Sequence, residues 1–492
     1  MKKISRATKK QKQVEPIANW VNQSGPKLLA AFMVVVGVTL FGAVAALAIV
    51  FPTSLKVDGV AKPTTTTTTA KQFPLADFSA DYKTTLAAPS ATASAKLAPI
   101  TPVLGGKVIY VDNSARGAKN GKTWANAYTS LNDALIELKN MAGVTIEIAQ
   151  GSGMYVENFT TGPDSYGCAL GVDDSGTGPE TTNVIKAKFG EQPVLKCLKG
   201  NGFRTVGTKW LAIDGLTLYR EPYAGSGLEI RDGENILLTN VKILGARNSG
   251  LALTHSTQVQ VTNSLIQGAL HGVSVWESSD NTFTGNTISN NRCTGMYVYG
   301  ANTNTFSNNL IYSNGYECGV LDYFVGGVGV RLQQSNNNRF ILNTIDNHPA
   351  GGWYYEGQWY DTNGRGIIAL AGSTNNLVQD SIISNNPLGG LYAEAGLDIP
   401  TTYTNVWQVN AGLPTAASIG NASADPLFEN AAAGNYHLKC DSPSRNAGTP
   451  GASYANEPAP NGGRVDQGHE GNTPKAAKCP TVKNLIPIEI AD

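Results

Sequence analysis

Charged residues are scarce in this chain, and their signs cancel. They make up 15% of the 492 residues, with 37 basic residues against 37 acidic ones, whereas about a quarter of an average protein is charged. Without an excess of positive charge the chain has no strong field to hold nucleic acid, so we expect no nucleic-acid partner. The low charge does not indicate disorder, because 41% of the residues are apolar.

The sequence also lacks a C-x-x-C pair, which argues against a zinc site. Its 54 glycines do not recur at every third residue, which excludes a collagen triple helix. The six cysteines all lie at position 168 or later. An even number of cysteines without zinc spacing is typical of disulfides formed in an oxidising compartment.

One long apolar segment stands apart from this average. Residues 28–51 form 24 consecutive residues without a charge, long enough to cross a bilayer as a helix. The preceding residues 1–27 carry seven basic residues and one acidic residue, Glu15. The positive-inside rule therefore predicts a cell-membrane protein with a cytoplasmic N-terminus and an extracellular C-terminal part. The alternative is a cleaved signal peptide, favoured by small residues such as Ala43 and Ala45 but not by the length of the segment.

Composition divides the rest of the chain. Residues 52–105 are rich in Thr, Pro and Ala, with six consecutive threonines from Thr64, and we expect a disordered linker. Folded sequence begins near Lys107, and the spacing of apolar residues in Ser130–Met141 predicts one short helix. We place the folded domain at 106–470 and a C-terminal tail at 471–492.

Glycines mark an internal repeat. Seven of them recur at intervals of 23, 22, 23, 34, 37 and 24 residues: Gly227, Gly250, Gly272, Gly295, Gly329, Gly366 and Gly390. Apolar residues stand one and three positions after each of them. A third apolar column stands eleven positions after the first six glycines: Leu238, Val261, Phe283, Phe306, Phe340 and Leu377. Sixteen positions after them every residue is isoleucine: Ile243, Ile266, Ile288, Ile311, Ile345 and Ile382.

Such columns predict short strands stacked in register. A unit of about 23 residues cannot bury its own apolar side, but stacked units can, with like residues about 4.8 Å apart. A polar column predicts a side-chain ladder beside them: Asn240, Asn263, Asn286, Asn309, Asn343 and Asp380. The fold class is therefore all-β, a parallel β-helix of about eight to ten coils. A leucine-rich repeat is the alternative, but its LxxLxLxxN motif is missing.

At this point the chain resembles a known family. The glycine-led strands resemble the right-handed β-helix repeats of pectate-lyase-like secreted proteins over roughly residues 107 to 470. The segments YVDNSARGAKNGKTWANAYTSLNDAL and ADPLFENAAAGNYHLKCDSPSRNAGTPG are similar to flanks that are common in bacterial members. The resemblance implies a right-handed β-helix, and a scaffold that carries lyases, hydrolases, epimerases and non-catalytic adhesins alike.

The outer face of the glycine-led strands is the expected ligand site. Side chains two and four positions after each glycine point outward, and many of them are aromatic or polar, as a sugar site requires. Two insertions, 314–327 and 347–365, leave the helix at the same turn and border this face. We therefore predict a polysaccharide or cell-surface glycan as partner. The predicted substrate-binding residues are Trp276, Tyr297, Tyr299, Trp353, Tyr355, Trp359 and Arg365.

Catalysis on this face has several candidate residues. The predicted catalytic residues are Glu277, Arg331, Glu356 and Asp361. In a lyase Arg331 would act as base or carboxylate clamp, with calcium held by oxygen ligands from Glu277, Asp322 and Asp361. In a glycosidase Glu277 would pair with Glu356 or Asp361. The W-x-D-H, G-H-G and D-P-H-D motifs of well-known relatives are missing. A carbohydrate-active enzyme, a glycan-binding or adhesion module and a structural surface rod therefore all remain open.

Register also predicts a disulfide. Cys293 lies 21 residues after Gly272, and Cys318 lies 23 residues after Gly295. The two cysteines therefore occupy the same kind of turn on adjacent coils, within reach of a disulfide. Pairing of Cys168 with Cys197 and of Cys440 with Cys479 is expected only because these are nearest in sequence.

Overall fold

The computed structural model describes residues 106–158, 168–198, 202–221, 225–316, 327–355, 358–362, 364–407 and 419–479, with the backbone alone described at 351–355 and 358–362. The predicted transmembrane segment 28–51 and the linker 52–105 lie outside these residues. Within the described residues no helix is both long enough and apolar enough to cross a membrane.

Three parallel sheets wind around a common interior, and each complete coil contributes one strand to each sheet. We call the nine-stranded sheet that follows the repeat glycines the glycine-led sheet. The eleven-stranded sheet is the threonine sheet, after its outward residues, and the ten-stranded sheet is the isoleucine sheet, after its inward column. The described domain is thus an all-β parallel β-helix with one short α-helix near its start, as predicted.

The strands are short, because each spans only one side of a coil. The glycine-led sheet contains Cys168–Leu170, Phe203–Val206, Leu228–Arg231, Ser249–Thr254, His271–Trp276, Thr294–Tyr299, Val328–Gln333, Arg365–Leu370 and Gly389–Ala393. The threonine sheet contains Val108–Val111, Thr145–Ile148, Asn183–Ala187, Lys209–Asp214, Glu234–Thr239, Gln260–Thr262, Thr282–Thr284, Thr305–Ser307, Arg339–Ile341, Leu377–Gln379 and Thr401–Thr402. The isoleucine sheet contains Tyr155–Glu157, Val194–Cys197, Thr217–Tyr219, Lys242–Leu244, Leu265–Gln267, Thr287–Ser289, Leu310–Tyr312, Thr344–Asp346, Ile382–Ser384 and Asn405–Trp407.

Two antiparallel hairpins and one α-helix complete the described elements. The first hairpin pairs Gly351–Tyr355 with Gln358–Thr362, and the second pairs Phe428–Asn430 with Asn435–Leu438. The helix, Leu131–Leu138, begins after Ser130, whose Oγ accepts a hydrogen bond from the Asn132 backbone N at 3.1 Å. Leu131, Ala134, Leu135 and Leu138 are buried and the helix contacts the first strands, which explains the helical spacing in the sequence.

The interior is built from the predicted apolar columns. Phenylalanines 283, 306 and 340 pair in register on successive coils, and their rings stack with centroids 5.1 and 4.7 Å apart. The assignment of Leu377 and Ile382 to the columns was wrong. Phe340 pairs with Val378, and the isoleucine column continues from Ile345 to Ile383. The turn between Leu370 and Leu377 has one residue more than in the preceding coil, which displaces both columns by one position.

The predicted polar ladder exists, with different ends. Asn286, Asn309 and Asn343 are fully buried, and each Asn Nδ2 donates to the Oδ1 of the next at 3.0 Å. Three other predicted members, Asn240, Asn263 and Asp380, stand one residue before the ladder position. They occupy turns with φ between 48° and 53°, a conformation in which asparagine and aspartate are common. Serines occupy the ladder positions that follow Asn263 and Asp380: Ser264 N donates to Asn286 Oδ1, and Asn343 N donates to Ser381 Oγ.

Two further ladders, which the sequence analysis did not identify, run at other corners of the coil. One consists of Asn281, Asn304, Asn338 and Asn376, joined by the same side-chain hydrogen bonds at 3.0 Å. The other begins with Asn291 and Asn314 and continues through His348 to Asn386. The ladders satisfy backbone donors and carbonyls that the sharp turns would otherwise leave buried and unpaired.

Disulfides close the described domain at both ends. The predicted pairs Cys168–Cys197 and Cys440–Cys479 are present, with Cα atoms 5.7 and 5.5 Å apart. Cys293 is also disulfide-bonded, and its predicted partner, Cys318, lies outside the described residues.

Candidate functional site

An aromatic cluster covers the outer face of the glycine-led sheet on two adjacent coils. Trp276 and Tyr299 pair across the strands, and their rings stack with centroids 4.2 Å apart at 24°. Tyr297 meets both rings edge-on, each at 6.2 Å. Side chains that point to the same face of neighbouring strands come together in this way because the strand spacing is about 4.8 Å. Trp276 remains 40% exposed, so it offers a flat apolar surface to solvent.

The next coil adds a guanidinium group to the cluster. Arg331 pairs in register with Tyr297, and its Cζ lies 5.0 Å from the centroid of that ring. Gln333 joins the two residues, because its Oε1 accepts from Arg331 Nη2 at 2.9 Å and from Tyr297 Oη at 3.1 Å. Arg331 faces outward as predicted but is only 7% exposed. The spacing from Gly329 predicts that Gln333 lies on this face, but it does not predict that Gln333 orients Arg331 and Tyr297.

A second arginine–aromatic contact lies toward the C-terminal end of the sheet. Arg365 ends the 347–365 insertion and begins the next strand of the glycine-led sheet. Its Cζ lies 4.5 Å from the centroid of the Tyr392 ring. Burial lowers the pKa of the Arg365 guanidinium, partly opposed by Tyr392. Tyr392 is 41% exposed, so this contact adds a second stacking surface on the same face.

The other end of the face is occupied by a buried ion-pair network. Glu229 was predicted to be an outward polar residue, and its carboxylate is enclosed by Arg204 and Arg231, at 3.2 and 3.0 Å. Both Arg204 and Glu229 have side chains that are only 6% exposed. Arg204 precedes the first glycine of the repeat, so the sequence pattern gave no reason to consider it.

Glu277 sits at the edge of the glycine-led sheet, in the turn after Trp276. Its Oε2 lies 2.9 Å from His255 Nε2, and His255 Nδ1 lies 3.6 Å from Asp232 Oδ1, so an acid–imidazole–acid row spans three coils. Glu277 and Arg331 are three residues apart along the strand direction and two coils apart, which separates their Cα atoms by roughly 14 Å. The row is half-exposed and lies beside the aromatic cluster.

The 347–365 insertion begins after the strand Thr344–Asp346 and ends at Arg365, the first residue of a strand of the glycine-led sheet. Its centre is the antiparallel hairpin in which Trp353 pairs with Tyr360 and Tyr355 pairs with Gln358. Side chains of several predicted site residues lie outside the described residues: Trp353, Tyr355, Glu356, Trp359 and Asp361, together with Asp322 of the earlier insertion. Among the described side chains no group of three or more His, Cys, Asp or Glu residues could hold a metal ion, so calcium remains a proposal.

A buried histidine lies at the base of this hairpin. His348 occupies an asparagine-ladder position, where its Nδ1 accepts from Asn314 N at 3.2 Å and its own N donates to Asn386 Oδ1. Its Nε2 is buried, and the ring also interacts with the backbone of Ile311. Complete burial lowers the pKa of His348 to about 3, so the imidazole is neutral at physiological pH.

This histidine predicts a loss of stability in acid. Between the folded pKa of about 3 and the unfolded pKa of about 6.5, the unfolded chain binds a proton that the folded chain does not, so stability falls as pH falls. Replacing His348 with asparagine restores the ladder without a titrating group. In urea unfolding, lowering the pH from 7.5 to 4.5 should cost the natural protein about 2 to 3 kcal/mol more stability than it costs the His348→Asn variant. A stability difference that is the same at both pH values would contradict this account.

Comparison with known proteins agrees with the architecture. The family described as "Right handed beta helix region" matches residues 226–407. No curated protein matches the chain. Similar solved structures include the pectate lyase Pel9A, at 16% identity and a TM-score of 0.51, over 74% of this chain and 96% of that one. A rhamnogalacturonan lyase (13% identity, TM-score 0.43, 66% and 91% covered) and a glycoside hydrolase (9%, 0.45, 65% and 95%) are more distant. The chain is a right-handed parallel β-helix protein with the fold of pectate lyase.

Proposed function

We propose that this is a membrane-anchored, extracytoplasmic β-helix protein that binds a polysaccharide on the outer face of the glycine-led sheet. The observation that carries the proposal is the half-exposed Trp276 ring, stacked on Tyr299 and flanked by Arg331 over Tyr297. A flat aromatic surface packs against the C–H face of a sugar ring, while oriented donors and acceptors beside it bind the hydroxyls. The fold shared with a pectate lyase, which acts on a polysaccharide, supports the same class of ligand.

Chemical change of the bound polysaccharide, by elimination or hydrolysis, is the second candidate. Its support is the oriented guanidinium of Arg331, which is held by Gln333 and lies next to the aromatic platform. A buried guanidinium with a fixed direction can bind the carboxylate of an acidic sugar in a lyase. The predicted carboxylates Glu356 and Asp361 belong to the 347–365 insertion, and Asp361 would bind a calcium ion. The alternative is a non-catalytic protein that serves in surface adhesion or structure.

An oligosaccharide array, followed by turnover assays on the glycans that bind, separates these functions. We expect the full-length protein to bind at least one glycan class, and Glu277→Gln to retain binding within about threefold. An enzyme would release products, including unsaturated uronates detected by absorbance, and the Arg331→Gln variant would lose that turnover. Binding with no product for any bound glycan would favour adhesion, and an array without any binding would refute the proposed function.

The anchor is tested separately. The apolar segment 28–51 and the basic residues before it support a cytoplasmic N-terminus and an extracellular β-helix. Protease added to intact cells should digest the β-helix domain, while an N-terminal tag stays protected and membrane-bound. Recovery of the β-helix domain from the medium, cleaved after the apolar segment, would show that the segment is a signal peptide and not an anchor.

A further inference from the structure

A second groove lies on the threonine sheet, on a different side of the coil from the aromatic cluster. Residues 469–475 of the C-terminal segment border this sheet and are fixed at the turn after the strand Thr305–Ser307: Asn308 Nδ2 donates to the carbonyls of His469 and Gly471 at 3.1 and 2.8 Å. His469 N also donates to Thr344 Oγ1 at 3.0 Å. A groove of about 1290 Å³, about half open to solvent, lies between the segment and the outer face of the sheet.

The wall formed by the sheet is a regular array of hydroxyl and methyl groups. Two outward columns run along it, one through Thr282 and Thr305 and the other through Thr262, Thr284 and Ser307. Thr284 and Ser307 hydroxyls are hydrogen-bonded to each other at 2.9 Å. Because successive coils are about 4.8 Å apart, the hydroxyls repeat at that interval along the groove. Each threonine also presents a methyl group, so polar and apolar contacts alternate.

The charges of the groove balance, and its apolar surface comes from aliphatic groups such as the threonine methyls. Asp280 and Glu470 are matched by Arg339 and Lys475. The remaining lining residues are mostly Thr, Ser, Asn and Gln, and none of those described is Phe, Tyr or Trp. A polyanion would lack a net positive field here. A peptide strand would find no sheet edge to pair with, because the wall is the face of a sheet whose backbone groups are already paired.

We propose that this groove is a second binding site, for a neutral oligosaccharide chain. Sugar hydroxyls exchange hydrogen bonds with the threonine, serine and amide groups, and sugar C–H groups pack on the threonine methyls. The volume exceeds the usual 300–1,000 Å³ of a small-molecule pocket, which fits an extended chain of several sugar units. The two grooves lie on different sheets, so the proposal does not depend on the aromatic site.

Calorimetry of the full-length protein with cellohexaose, xylohexaose, mannohexaose and maltohexaose tests this proposal. At least one of these should bind, and the double variant Thr282→Val/Thr305→Val should weaken it about tenfold, since two hydroxyls are lost while shape and methyl groups stay. Thr239→Val is the matched control, because Thr239 pairs with Thr262 in the same outward column but lies outside the groove. It should leave the affinity unchanged.

Two results would overturn the proposal. One is that none of the four neutral hexasaccharides binds. The other is that binding is lost in Trp276→Ala and retained in the double threonine variant, which would assign the sugar to the aromatic site alone. Unfolding midpoints of all variants establish that each is folded at the temperature of the titration.

Discussion

Replacing Asn309 with leucine should destabilise the β-helix by about 4 kcal/mol, the largest effect that we expect from a single substitution outside the apolar columns. The Asn309 side chain is fully buried in the middle of its ladder. Its Oδ1 accepts from Asn286 N and Nδ2, and its Nδ2 donates to Phe283 O and Asn343 Oδ1. Leucine has nearly the same volume but removes these four buried hydrogen bonds. Asn286 Nδ2 keeps its bond to Val261 O, and Asn343 Oδ1 keeps its bond from Asn309 N. Each buried bond that is lost costs about 1 to 3 kcal/mol before relaxation.

A graded series distinguishes hydrogen bonding from packing. Ser264 and Ser381 occupy equivalent positions at the two ends of this ladder, so serine is compatible with the turn. Asn309→Ser should therefore lose less stability than Asn309→Leu. Asn132→Ala, in the exposed part of the short helix, serves as control and should change the free energy of unfolding by less than about 1 kcal/mol. Equal losses for the serine and leucine variants in urea unfolding would mean that the ladder hydrogen bonds do not determine stability.

Replacing Trp276 with alanine should weaken glycan binding by about 1 to 3 kcal/mol, or roughly five- to 150-fold in affinity. The indole is exposed to solvent and held flat by its stack on Tyr299, so it is pre-oriented for a sugar ring. Its removal deletes the contact surface and frees the Tyr299 ring to move. Affinity is measured by calorimetry with the glycan that the array identifies.

Phe189→Ala is the matched control for this variant. Phe189 is 99% exposed in a turn between the threonine and isoleucine sheets, away from the glycine-led face. Its removal tests whether any exposed aromatic contributes through non-specific contact. Equal affinities of the Trp276 variant and the natural protein for every bound glycan would place the site elsewhere.

The sequence predicted the fold because the coil repeats. Once Gly227 and its successors are aligned, the inward columns follow, and a column such as Phe283, Phe306 and Phe340 has few interpretations other than stacked coils. The errors at Leu377 and Ile382 came from a turn that is longer by one residue. Columns assigned at a fixed distance from each glycine do not take such a change into account. The ladders were harder to identify, because asparagine is common both at buried ladder positions and at the left-handed turn residues beside them, as Asn240 shows.

The site was predictable only in outline. The outward positions predicted which side chains share a face, and Trp276 and Tyr299 do lie together on it. The pairing of Glu277 with His255 and of Glu229 with Arg204 depends on contacts between coils about 22 to 25 residues apart in sequence. These contacts depend on the direction of each side chain, which a pattern of residue types does not predict. Glu229 and Glu277 therefore interact with side chains of neighbouring coils, although the sequence pattern suggests that they are available to a ligand.

The most direct test of the proposed function is an experimental structure of the protein with the glycan that it binds best. We predict that a sugar ring lies parallel to the Trp276 indole within about 4 Å, with polar contacts to Arg331 or Gln333. Such a complex would establish the outer face of the glycine-led sheet as the polysaccharide site. A bound glycan found only at another surface, with the face of Trp276 open to solvent, would contradict the account.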